Sequence, residues 1–215
     1  MKLKNNIYLV IGIAALYLMC QMIADVTAVK IVQLWGMTFA GGTFIYALTF
    51  TARDLAHKQM GKKPTVFLIW AAAFVNVFMA LYFVLILKMP YPAFWVGQDA
   101  MQQTLGIVPR IVGASIAAEI ISELVDTELY QFVWKRWPKA NQMFRVLGSN
   151  AISAPLDSLV FVFIAFYGTM PIPALFSVVW GQTVWKWILT IVSMPSIYLV
   201  PQNPDVKAQI ENQSK

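Results

Sequence analysis

The chain has 215 residues, of which 59% are hydrophobic and 12% charged, with a formal charge of +6 and one cysteine and one histidine. A soluble domain carries about 25% charged residues, so half that proportion along the whole length excludes an ordinary soluble domain and indicates one integral membrane domain over 1–215. Lone Cys20 excludes an intramolecular disulfide, and His57 without a Cys/His cluster gives no zinc or haem spacing, so no metal and no cofactor is expected.

A bilayer core takes roughly 20 helical residues to cross, and the sequence offers six such spans. The first covers about 6–24, where Lys2 and Lys4 precede IYLVIGIAALYLM. That pattern also begins a signal peptide, but further apolar segments follow and it reads as a retained span. The second covers about 36–53, and the third, about 65–88, is PTVFLIWAAAFVNVFMALYFVLIL with Pro64 suited to a helix start. The loop KMPYPAFWVGQDAMQQTLGIVP follows, with the composition of a re-entrant segment or short amphipathic helix. The fourth, fifth and sixth spans cover about 108–132, 146–168 and 173–200, the last interrupted by Pro195. The runs are continuous rather than alternating, which speaks for helices and against strands.

With the N-terminus inside, twelve Lys and Arg fall on the cytoplasmic side and three (Lys30, Lys88, Arg110) on the other, with Lys186 inside span six. This asymmetry predicts cytoplasmic termini in a bacterial-type inner membrane. Basic residues distributed between apolar runs are topology signals rather than a nucleic-acid footprint. Trp35, Trp95, Trp134 and Trp137 lie near predicted span ends, where aromatic belts form.

Polar residues within the spans are the candidates for function. Wound as a helix, AEIISELVDTELY places Glu119, Glu123, Asp126 and Tyr130 within an arc of roughly 60°, with Glu128 opposite. Each acid near the bilayer centre costs roughly 2.5–3.5 kcal/mol, so an aligned set implies a polar cavity; a solvated helix extension is the plainer reading, strongest for Asp126 and Glu128. Asp157 stands alone in an apolar span, and Lys186 is one turn after Gln182. An Asp157–Lys186 pair joining spans five and six would be structural at its simplest, and such pairs are often functional in membranes. Asn76 is a further intramembrane polar group, and Asp54 beside Arg53 reads as a boundary charge.

Four segments in order then carry a resemblance: ALTFTARDLAHKQMG (47–61), RIVGASIAAEIISELVD (110–126), FRVLGSNAISAPLDSLVFVFIAFYG (144–168) and the Gln182/Lys186 span, with AVKI at 28–31. Together they resemble the queuosine-precursor transporter family, also called the vitamin uptake transporter family. The resemblance implies an all-α, six-helix carrier, similar in shape to the substrate-binding subunits of energy-coupling-factor transporters. Its cargo would be a 7-deazapurine base, in nitrile or aminomethyl form.

The residues suit that chemistry. A carboxylate accepts two adjacent N–H donors, so Glu119, Glu123, Asp126, Asp157, Asp25 and Asp54 are candidates for the pyrimidine edge. Trp185, Phe50 and Tyr46 offer faces for stacking, and Asn150, Gln182 and Lys186 can serve the carbonyl and ring nitrogens. Where the family usually has amides, this chain has Asp25 and Glu123, and the extra acids favour a cationic ligand. The expected partners are the base and the lipid bilayer, with a homo-oligomer and an ATP-driven partner module left open. Two rivals are a subunit feeding such a module and an intramembrane acid/base enzyme, which would need a nucleophile or metal that the sequence does not offer.

Overall fold

A computed structural model describes residues 2–136 and 142–193. Within those helices the side chains of Phe50, Asp54, Glu123, Asp126 and Asn150 lie outside the described set, as does everything from 194 onward, including Pro195. The molecule is mostly helical. Helix α1 (Lys2–Thr27) is followed by strands β1 (Ile31–Leu34) and β2 (Met37–Ala40), then α2 (Thr43–Met60) and α3 (Lys62–Lys88). A short helix α4 (Gln98–Leu105) precedes α5 (Val108–Arg136), α6 (Gln142–Phe166) and α7 (Ile172–Ser193).

Among the described residues, four stretches are long and apolar enough to cross a membrane: Ile7–Thr27, Lys63–Lys88, Gln98–Ser122 and Ile172–Val192. Helix α2 falls short because Arg53, Asp54 and Lys58 interrupt it, and the apolar part of α6, Ala151–Phe166, is shorter than a full span. The outward face of α3 carries Phe67, Trp70, Phe74, Phe78 and Leu81, all exposed and three or four residues apart. That stripe is the inverse of a soluble helix and suits contact with hydrocarbon.

The second predicted span requires correction. Residues 36–42 are not helical: Leu34 and Met37 pair across a two-residue turn in an antiparallel hairpin, with Ile31 opposite Ala40. Trp35 and Gly36 both have positive φ, 49° and 77°, which is the twist a two-residue hairpin turn requires. Ile31, Val32 and Thr38 favour the extended backbone that follows. The run is largely apolar, so composition alone merges it into a span, whereas hairpin pairing satisfies its backbone. The loop before α5 does contain a short helix, α4, with no buried residue.

Glycines let the hairpin sit tightly. A Cβ on Gly181 would fall well inside contact distance of the Thr38 carbonyl, and one on Gly42 would do the same at the Ala24 carbonyl. The β2 backbone is thereby pressed against α7, and the start of α2 against α1. Small residues also bring α5 and α6 together, with Ala114 and Ala118 facing Val162, Ala165 and Phe166 in one buried cluster. Arg110 fastens the same pair of helices, donating from Nε to the Ile164 carbonyl (2.6 Å) and from Nη2 to the Tyr167 carbonyl (2.7 Å). These carbonyls lie at the C-terminal end of α6, where a cation is favoured. A second cluster joins α1, α2 and α3 through Tyr17, Ala52, Ala56 and Ala72.

Candidate functional site

Between these two packed groups lies a narrow cavity of about 30 Å³. Its walls come from α1, α2, α5, α6 and α7, and the hairpin end at Ala40 and Gly42 forms part of its lining. Five residues singled out in the sequence line it together: Asp25, Tyr46, Asp157, Gln182 and Lys186. Ala24, Ala28, Ala118 and Phe161 supply apolar wall. The volume is far below the roughly 300–1,000 Å³ of small-molecule sites, so holding a base requires the surrounding helices to move apart.

The charges in the cavity are arranged unequally. Lys186 Nζ bonds directly to Asp157 Oδ2, and both side chains are below a tenth exposed. The expected pairing of spans five and six is therefore realised as a contact between α6 and α7. Ser122 on α5 donates to the other Asp157 oxygen at 3.1 Å. Pro155, inside α6, leaves the Ala151 carbonyl without its helical donor close to this point. Lys186 also sits 5.5 Å above the Tyr46 ring, within cation–π range.

Asp25 is held differently. It is 3% exposed and accepts from Ser115 Oγ at 2.7 Å and from Asn76 Nδ2 at 2.9 Å. Both donors are neutral, and no cation pairs with Asp25 among the described residues. The sequence marks Asn76 as an intramembrane polar group without assigning it a role, and Ser115 is missed. A signal exists: Ser115 lies one turn before Glu119 and shares its face.

Gln182 donates to Thr43 Oγ1 at 3.2 Å, while its Oε1 is buried and has no hydrogen-bond partner among the described residues. Unsatisfied buried acceptors are uncommon and costly, and this one belongs to a residue lining the cavity. Thr43 was not foreseen, because it lies where a span was expected to continue through the hairpin.

Other predicted residues fall elsewhere. Glu119 is half-buried on α5 and is not part of the lining. Trp185 is buried but faces an aromatic cluster, stacked on Trp35 with centroids 5.7 Å apart and packed edge-on against Phe44 at 5.0 Å. Its Nε1 has no hydrogen-bond partner among the described residues. Phe50, Asp54, Glu123, Asp126 and Asn150 lie outside the described side chains. Among the described residues, no group of His, Cys, Asp and Glu is placed to hold a metal.

Comparison with known proteins adds the biological frame. Residues 40–200 match the family described as "Putative vitamin uptake transporter". The chain belongs to this family. It is also 25% identical over 178 residues to a Bacillus subtilis (strain 168) protein described as "Probable queuosine precursor transporter", covering 81% of this chain and 77% of that one. No solved structure matches the chain at a significant level. A multi-pass membrane transporter is what the family and the apolar helices together support.

Proposed function

We propose that this vitamin uptake transporter family member imports a 7-deazapurine precursor of queuosine across a bacterial-type cytoplasmic membrane. The observation that carries the reading is a buried Gln182 Oε1, without a partner among the described residues, in a cavity that also presents a held carboxylate, Asp157. A guanine-like base offers adjacent N–H donors along one edge and a carbonyl beside them. Asp157, steadied by Lys186 and Ser122, can accept the paired donors, and Gln182 Oε1 can accept a further one. Lys186 and Thr43 can donate to the carbonyl. Tyr46 and Phe161 are the aromatic residues of the lining, and flat ligands favour such faces. The likeness to the Bacillus subtilis probable queuosine precursor transporter supports this cargo class.

The cytoplasmic termini and the single-domain organisation belong to this proposal, supported by the distribution of Lys and Arg. Calorimetry on purified protein in detergent tests the cargo, using the nitrile base, the aminomethyl base, queuine and guanine. Binding of the deazapurines is expected, and Gln182→Leu should weaken it about tenfold, the equivalent of one lost hydrogen bond to a buried group. A folded sample that binds none of the panel would refute the deazapurine reading.

A further inference from the structure

We infer that Asp25 selects the charge of the cargo: it is the seat of a protonated amine, so the cavity takes a monocationic base in preference to its neutral counterpart. This rests on the deazapurine reading and deepens it.

The argument begins with the charges that face the cavity. The formally charged residues of its lining are Asp25, Asp157 and Lys186. Lys186 is bonded to Asp157, so those two cancel, and the lining keeps one net negative charge, on Asp25. That carboxylate is almost wholly buried, and both of its described donors are neutral. Two neutral hydrogen bonds orient a carboxylate but do not replace an ion partner, and a buried charge without one is expensive. Among the described residues Lys186 pairs with Asp157 Oδ2 and not with Asp25.

Geometry leaves Asp25 able to accept more. A carboxylate has about four lone-pair sites, and the two bonds use one on each oxygen. Asn76 on α3 and Ser115 on α5 hold the group from either side, at positions 51 and 90 residues away in the chain. Such anchoring fixes an acceptor in advance of the ligand, which limits the ordering cost on binding. An alkylammonium keeps its proton well above neutral pH, near 10.4 for a lysine-like amine. The aminomethyl base therefore carries the charge that the cavity lacks, and the nitrile base carries none.

The experiment compares the two bases by calorimetry at neutral pH, with wild type, Asp25→Asn and Ser115→Ala. The Asn variant keeps the shape and one acceptor but removes the charge. Wild type should favour the aminomethyl base by about tenfold or more, as for a desolvated charge pair. Asp25→Asn should lose that preference by weakening the aminomethyl base, leaving the nitrile base within about threefold. Ser115→Ala keeps the charge and should keep the preference, so it carries the test if Asp25→Asn does not fold. Equal wild-type affinity for the two bases, equal weakening of both by Asp25→Asn, or loss of preference in Ser115→Ala would each overturn the inference while leaving the deazapurine reading intact. So would an Asp25-dependent thermal shift by sodium over choline without any base, since that assigns the site to an inorganic cation. Failure of both bases to bind folded wild type removes the deazapurine reading and this inference with it.

Discussion

Replacing Lys186 by Met is the sharpest test of how α6 and α7 are held. In the native molecule the Lys186 ammonium and the Asp157 carboxylate are each less than a tenth exposed and bonded to one another. Lys186→Met fills nearly the same volume but leaves Asp157 with the Ser122 hydroxyl, a neutral donor at 3.1 Å. Breaking a buried pair on one side costs about 3–5 kcal/mol, chiefly because the remaining charge stays desolvated. For a chain of this size, each kcal/mol moves Tm by about 2–4 °C, so the single variant should lose about 6–20 °C. The double variant Asp157→Asn with Lys186→Met removes both charges and keeps an acceptor for Ser122. It should regain most of the loss, since an uncharged replacement of a buried pair is often close to neutral. Thermal unfolding of detergent-purified protein, followed by size-exclusion recovery, measures all corners of the cycle. Additive losses in the double variant would refute the reasoning, because the two residues would then be uncoupled.

Gly181→Ala places a Cβ against the Thr38 carbonyl, which must push β2 away from α7; the expected result is a loss of about 1–3 kcal/mol, as for overpacking, together with weaker base binding, and unchanged Tm and affinity would contradict the packing described. Cys20 is fully buried and the chain has no other cysteine, so maleimide labelling of folded protein should be negligible and should become complete on denaturation; rapid labelling in the folded state would contradict the placement of α1.

Some of this architecture was legible before any fold was known because it follows from solvation alone. A single carboxylate and a single ammonium in otherwise apolar spans must find partners, so the Asp157–Lys186 pair follows from the cost of leaving either bare. The long apolar helices α1, α3 and α7 are legible for the same reason. The hairpin was not, since IVQLWGMTFA is as apolar as a span and hydropathy does not distinguish a β turn from a helix. The Trp35–Gly36 pair flanked by β-formers was the available signal, and it is a weak one because Trp seldom adopts positive φ.

Composition and charge by themselves determined that the chain must live in a membrane and must neutralise its isolated charges there. The tertiary structure decided which acids share a cavity. Asp25 meets Asn76 and Ser115 only when α1, α3 and α5 pack, and Gln182 meets Thr43 only because the hairpin delivers α2 to α7. Helical periodicity fixes which residues share a face of one helix. It carries no information about which faces of different helices meet, because small-residue close packing and hairpin geometry set that choice. Asp25 therefore reads in sequence as one acid among several, and in the fold as the cavity-lining charge left without a cation among the described residues.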